Sequence, residues 1–487
     1  MRDALTQSLA LSLTAPAENV FARLPGDFYT KMPPEAVGAR PRLIHANAKA
    51  AALIGLDPAS FADPAFTEIF SGHRPFPGGA PLAMVYSGHQ FGAWAGQLGD
   101  GRALLLAQIR GRQGELWDVQ LKGSGKTPYS RFGDGRAVMR SSIREYLCSE
   151  AMAGLGIPTT RALCVIATHE AVARETPEPG AVLTRLARSH IRFGHFEHFH
   201  HNDKPELVRA LADHVIGEYM PDFAGDHAGW FGEVVARTAH LIAHWQAAGF
   251  AHGVMNTDNM SILGLTLDYG PFGLLDFYEP GFICNHTDET GRYAFDMQPA
   301  IAHWNLRALA LALTSLIPTE SLVAALDTYE SHFRTRYREL VRAKLGLGSA
   351  DGCRADDKLV AELLTLMAKA RADYTLTFRG LADPGEAWLT LFAPVLAEAT
   401  AWLAKYRDRM AGEGDVAAAM NAVNPKYVLR NWVAEIAIRA AEDQGDSGPL
   451  GRILRLVQSP YEAHPGEDAF AQPPAPEYCG LSVSCSS

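Results

Sequence analysis

The sequence predicts an α+β protein of two lobes, β-rich first and mainly helical second, with a cleft between them. Three observations carry this reading. Residues 81–122 are short apolar or alternating runs separated by Gly-rich turns. Beyond residue 205, apolar residues recur at three- and four-residue spacing. Inside that helical part sits one β interruption, SILGLTLDYGPFGLLDF at 261–277. A length of 487 residues would suit about three domains of ~150 residues. The pattern instead predicts one two-lobed fold with extensions: 1–80 packing on the catalytic fold, 81–190 as N-lobe, 191–458 as helical C-lobe, and 459–487 as a tail.

The elements follow in order. Up to residue 80, Pro33, Pro34, Pro41, Pro75, Pro77 and Gly78-Gly79 interrupt any long element, so this stretch reads as loop-rich. Strands are expected at Leu82–Tyr86, Ala103–Ile109, Leu116–Leu121 and Ala181–Leu186. Between the last two, 136–154 has helical periodicity, with Val138, Ile143, Leu147 and Met152 on one face. Helices are then expected at Glu206–Tyr219, Trp230–Ala248, Ala300–Leu316, Ser321–Lys344, Asp357–Tyr374 and Glu386–Lys405. Five prolines after residue 458 give a weakly structured tail.

Composition excludes several classes. With 47% hydrophobic and 20% charged residues the chain is neither disordered, collagenous nor coiled-coil. A net charge of −10 argues against a general nucleic-acid binder, which needs a basic face. No window reaches the ~18 uninterrupted apolar residues of a membrane helix, and the start lacks the shape of a secretory signal. Cys148, Cys164, Cys284, Cys353, Cys479 and Cys485 are too scattered for a disulfide framework. A soluble cytoplasmic protein is expected, without nucleic-acid or membrane partners. One local exception stands out: residues 99–144 carry nine Lys/Arg against four Asp/Glu.

Several motifs could carry chemistry. Gly96-Gln-Leu-Gly99-Asp-Gly101-Arg102 lies between two expected strands, where backbone N–H groups can cradle an anion or simply form a hairpin turn. Gly123-Ser-Gly125-Lys126-Thr127 imitates a phosphate-binding loop, but Gln120 occupies the required first glycine and Pro128 follows. Lys122 ends a strand and Glu145 lies in the next helix, an arrangement that positions ATP phosphates in kinase-like folds, though solvated surface charges would look the same. Asp134, in Phe132-Gly-Asp134-Gly135-Arg136, can cap the following helix or contact a ligand. Arg185, Arg188 and Arg192 can bind phosphate oxygens bidentately.

The strongest constellation is AHGVMNTDNMSILGLTLDYG, 251–270. Asn259 and Asp268, separated by a short apolar strand, are hard oxygen ligands that suit Mg²⁺. His252 opens the segment like a kinase catalytic loop, but Val254 stands where the catalytic aspartate belongs, and Asp258 is the carboxylate nearby. His195, His198, His200 and His201 match no structural zinc spacing and, interleaved with Phe193, Phe196 and Phe199, read as packing. His240 and His244 lack the glutamate of a zinc-protease motif and read as helix core. Cys485, third from the end, is an accessible thiol.

In order, these motifs follow a kinase lobe pair with its catalytic aspartate displaced. The chain resembles the selenoprotein O family (bacterial YdiU proteins), pseudokinase-like protein adenylyltransferases. The carrying segments are YSGHQFGAWAGQLGDGRA, WDVQLKGSGKTPYSRFGDGRAVMRSSIREYL, RSHIRFGHFEHF and HGVMNTDNMSILGLTLDYGPFGLLDF, and the likeness runs to the CSS ending. The resemblance implies ATP bound in a flipped orientation, with AMP transferred to Ser, Thr or Tyr hydroxyls of proteins. It implies nucleotide contacts from Gly99, Gly101, Arg102, Lys122, Asp134, Gly135, Arg185, Arg192 and Asp268, with Glu145 as partner of Lys122. It also implies Mg²⁺ on Asn259 and Asp268, with Mn²⁺ as a substitute, Asp258 as proton acceptor, and a redox pair of Cys284 and Cys485. A monomer is expected. The competing readings are a phosphotransferase using the γ-phosphate, transfer of UMP from UTP, and a nucleotide-binding scaffold without turnover.

Overall fold

The computed structural model describes residues 15–348, 354–411, 413–478 and 481. Its first part is built on an antiparallel sheet. In chain order the strands are β1 (Tyr29–Lys31), β2 (Arg42–Ala46), β3 (Leu82–Met84), β4 (Ser87–Gln90), β5 (Ala93–Gln97), β6 (Ala103–Arg110), β7 (Leu116–Lys122), β8 (Ala137–Val138), β9 (Arg161–Ala173) and β10 (Pro177–Ala187). The main sheet runs β1-β3-β6-β7-β10-β9-β2, with β8 pairing β10, while β4 and β5 form a separate two-stranded hairpin.

The apolar runs of β6, β7 and β10 are nearly continuous because both faces of the sheet are covered. One face meets α3 (Met139–Gly154), where Ile143 and Leu147 pack with Leu105, Val165 and Leu183. The other meets α1 (Ala48–Leu53) and α2 (Pro64–Phe70), where Ile54, Phe66 and Phe70 pack with Leu104, Leu106, Val119 and Leu186. The described residues up to 80, read as loop-rich, supply two strands and two α-helices. Their elements are short and proline-flanked, and they are held by the sheet rather than by their own periodicity.

The second part is helical: α4 (Phe193–His201), α5 (Pro205–Tyr219), α6 (His227–Ala248), α7 (Gln298–Ala312) and further helices to Gln458. The side chain of Asp226 caps α6 by accepting from Gly229 N at 2.8 Å. Trp230 and Trp245 of this helix are fully buried, each burial contributing about 2–3 kcal/mol. The stretch expected as one helix from Ser321 to Lys344 is two, Thr319–Asp327 and Tyr329–Lys344, broken at Thr328. The β interruption is reduced to a two-residue pair, β11 (Phe250–Ala251) with β12 (Gly273–Leu274). Asn259 and Asp268 are joined not by a strand but by a turn closed by a bridge between Met260 and Thr266. Gly264 and its neighbours fold the run back on itself before strand length is reached.

The tail is ordered as far as it is described. Phe470 stacks on Trp432 at 6.3 Å, and Tyr478 lies 6.0 Å from the same ring. Cys353, Cys479 and Cys485 lie outside the described residues. No described helix is long and apolar enough to cross a membrane.

Candidate active site

A cavity of about 710 Å³ opens between the lobes. The sheet positions its upper wall. β7 ends at Lys122, whose ammonium pairs with Glu145 on α3 and stands 3.7 Å from Asp268. On the neighbouring strand, Arg185 donates to Glu145 at 3.0 Å, and also to Asp268 and to Gln120. One buried glutamate thus holds two cations, and Asp268 ties them to the lower lobe.

Arg192, the residue before α4, completes the wall. Its Nη1 donates to Asp268, to the Asp258 carbonyl at 2.6 Å and to Asn259 Oδ1 at 3.4 Å. Its guanidinium also lies 5.1 Å from the Tyr86 ring. His195 fixes this turn by accepting from the Arg192 backbone N–H at 3.0 Å. The other histidines are packing and pinning groups: His198 bonds Ser87 at 2.8 Å, and His201 packs against Trp94 in a tilted contact with ring centres 3.9 Å apart. Among the described residues no group of three or more His, Cys, Asp or Glu side chains is arranged to hold a metal.

The lower wall is the loop between β11 and β12. His252 is buried, stacked on Trp245 at 5.1 Å and bonded to the Leu267 carbonyl at 2.8 Å. It shapes the loop and does not face the cavity. Asp268 adopts a left-handed backbone, φ 55°, uncommon for a non-glycine residue. Burial alone would raise its carboxyl, but Arg192, Arg185 and Lys122 overcome that and hold it well below the usual range. Asp258 goes the other way: burial, only partly offset by Arg192, pushes it up to about 6. Its Oδ2 accepts from Gln90 Nε2 at 3.3 Å, and its buried Oδ1 has no partner among the described residues.

The glycine-rich turn lies over this floor. Gly99 has φ 142°, and a Cβ there would stand 2.6 Å from the Tyr129 ring. Gly101 and Arg102 follow, and Arg102 lines the cavity with its side chain exposed. Opposite, Gly135 packs its backbone onto Gly125, where a Cβ would stand 2.2 Å from the Gly125 carbonyl carbon. Asp134 does not cap α3, which begins at Met139. It accepts instead from Arg136 N at 2.9 Å and from Arg174 at 2.7 Å, which hold its carboxyl low against burial.

All the sequence-predicted nucleotide and metal residues except Glu145 line this one cavity, and Glu145 stands behind Lys122. Arg188 does not; its side chain turns to Leu116 and Trp117 and lines a different cavity. Of the nine basic residues in 99–144, Arg102, Lys122, Arg131 and Arg136 line the cavity, whereas Arg110 pairs with Glu18 and Glu218 and Arg140 with Glu178. Cys284 is buried, its thiol donating to the Pro271 carbonyl at 2.8 Å. Sequence reasoning missed Gln90, Asp100, Gln120 and Arg174. Asp100 lies between the two singled-out glycines, is buried, and is pushed up to about 6 by that burial. It receives the Met84 N–H at 3.1 Å and so anchors the turn to β3.

Asp268 and Asn259 fit a hard divalent cation. Three oxygens, from Asp258, Asn259 and Asp268, already converge on one cationic nitrogen of Arg192. A donor set of one carboxylate and neutral oxygens suits Mg²⁺, which completes its shell with phosphate and water.

A strand lysine paired to a helix glutamate, over a loop bearing asparagine and aspartate in a two-lobed α+β fold, defines the kinase-like class. Comparison with known proteins narrows it further. Residues 12–458 match the model of the family described as "Protein adenylyltransferase SelO". The chain is 52% identical over 492 residues to the protein nucleotidyltransferase YdiU of Bordetella parapertussis, covering 97% of this chain and 98% of that one. It is 50% identical to the proteins of the same name from Myxococcus xanthus, over 483 residues, and Pseudomonas putida, over 481, each covering 96% of this chain and 98% of the relative. The chain belongs to the SelO protein adenylyltransferase family.

Proposed function

We propose that the protein transfers AMP from ATP to Ser, Thr or Tyr hydroxyls of other proteins. The observation that carries the mechanism is the wall of Lys122, Arg185 and Arg192 facing an elevated, half-partnered Asp258 across one cavity. The three cations neutralise phosphate charge, and their anchoring by Glu145 and Asp268 keeps them in place without reorganisation during reaction. The Gly99–Gly101 turn and the Gly135 turn, lacking side chains at their glycines, let the remainder of the nucleotide approach the backbone closely, and Arg102 meets it from the exposed side.

The substrate hydroxyl oxygen attacks the α-phosphorus. A new O–P bond forms as the bond to the β-phosphate oxygen breaks, pyrophosphate leaves, and the hydroxyl proton passes to Asp258. A carboxylate at about 6 accepts a proton better near neutral pH than an ordinary aspartate. Asn259 and Asp268 would hold Mg²⁺, which supplies charge neutralisation at the phosphates when bound. A hydroxyl attacking phosphorus depends on alignment and charge more than on a strong base, so Val254 in place of the usual aspartate does not remove the chemistry.

Mass spectrometry of candidate proteins incubated with the enzyme, ATP and Mg²⁺ tests this reading. Peptides bearing AMP on a hydroxyl residue are expected with the wild-type chain and absent with Asp268→Ala. Equal modification by that variant would contradict the assignment.

A further inference from the structure

A second cavity, of about 650 Å³, shares no lining residue with the nucleotide cleft. Its size is that of a small-molecule site. It forms where α6, the helix Tyr329–Lys344, the segment after β10 and the turn following Asn259 meet. One face of α6 presents Arg237, His240, Leu241 and His244, at spacings that place them on a single stripe. Arg336 enters from the facing helix, Arg188 from the segment joining the lobes, and Leu263 and Leu265 form an apolar wall.

Two of the three guanidinium groups, those of Arg237 and Arg188, are held at Nε and leave their Nη forks open. Arg237 uses Nε for Glu233, at 2.7 Å, and Arg188 uses Nε for the Leu116 carbonyl, at 3.0 Å. No carboxylate stands within 4 Å of Arg188 among the described residues. Arg336 pairs with Glu339 at 3.0 Å and donates to His244 Nε2 at 3.3 Å. Burial and Arg336 push His244 down to about 4, so it accepts that bond as a neutral ring and cancels no charge. Among the described residues, Glu339 is the one carboxylate lining the cavity against three arginines.

We propose that this cavity binds a small phosphate-bearing molecule, its phosphate on the Nη forks of Arg188 and Arg237 beside Arg336 and its organic part against Leu241, Leu263 and Leu265. Open guanidinium forks match phosphate geometry bidentately. The position has a consequence for the cleft. Arg188 lies in the chain between Arg185 and Arg192, and Leu263–Leu265 lie between Asn259 and Asp268, so a ligand here touches both segments that carry cleft residues.

Phenylglyoxal modification of Arg188 and Arg237, followed by mass spectrometry on the full chain, tests the proposal with inorganic pyrophosphate as probe and sodium chloride at matched ionic strength as control. Pyrophosphate is expected to slow modification of both residues at least fivefold, in the wild type and equally in Lys122→Ala, whose nucleotide cleft is impaired. Unchanged rates would overturn the proposal. Protection lost in Lys122→Ala would also overturn it, because the effect would then originate in the nucleotide cleft.

Discussion

Gln90 donates to Asp258 at 3.3 Å, so the carboxylate proposed to take the proton is held by a residue of the β4–β5 hairpin rather than by its own loop. The hairpin is itself pinned to that loop: His89 N donates to Thr257 at 2.7 Å, and Phe91 N to Asn256 at 3.1 Å. Gly88 lies close enough that a Cβ would stand 2.9 Å from Asp258 Oδ1. Gln90→Ala should leave Asp258 free to rotate and slow transfer about tenfold with the ATP KM near wild type. Steady-state kinetics on a modified peptide checks this, and a raised KM with unchanged kcat would place Gln90 in binding instead.

Glu145→Ala should destabilise the fold as well as weaken ATP binding. Glu145 partners both Lys122 and Arg185 from a buried position, and removing one member of a buried ionic set costs about 3 kcal/mol. Urea denaturation should show the loss, and Glu145→Gln should recover only part of it, because its single carboxamide oxygen can still accept from one of the two cations.

Gly99→Ala should cost about 1–3 kcal/mol locally and weaken nucleotide binding. The new methyl would meet the Tyr129 ring at 2.6 Å and the Met84 carbonyl at 2.8 Å, in a backbone region that only glycine occupies without strain. Calorimetric titration with ATP checks it. A mutant binding as wild type would remove the turn from the nucleotide site.

Lys344 gives a pH signature remote from the cleft. It is buried over the Phe378 ring at 4.7 Å, and burial pushes its ammonium down to about 7. Between that value and the ~10.4 of an ordinary lysine, the unfolded chain binds a proton that the folded chain does not. The contribution of this group therefore makes stability rise with pH across that window. Lys344→Met should be more stable than wild type by about 2 kcal/mol at pH 7, with the gap narrowing by pH 9. Denaturation at the two pH values measures it; a constant gap would contradict the shift.

Much of the site was legible because its residues sit where local pattern is strong. Lys122 closes an alternating strand and Glu145 lies in a periodic helix, so both could be placed before their contact was known. Arg185 and Arg192 were legible as cations of the cleft, but their sequence neighbour Arg188, which lines another cavity, was not separable from them. Only the backbone turn after β10 decides which guanidinium faces which cavity. Gln90 and Asp100 gave no signal of their own: a lone glutamine and an aspartate between glycines acquire roles through contacts more than 15 residues away in the chain. The strands and helices of the first 80 residues escaped notice for the same reason, being short elements stabilised by the sheet they cover.

The central claim is that the α-phosphate is the one transferred. Incubation of the wild-type chain and a hydroxyl-bearing protein with ATP labelled at either the α- or the γ-phosphate tests it directly. Label should enter protein from the α-position alone, with pyrophosphate released in equal amount. Incorporation from the γ-position would make the protein a phosphotransferase and contradict the account.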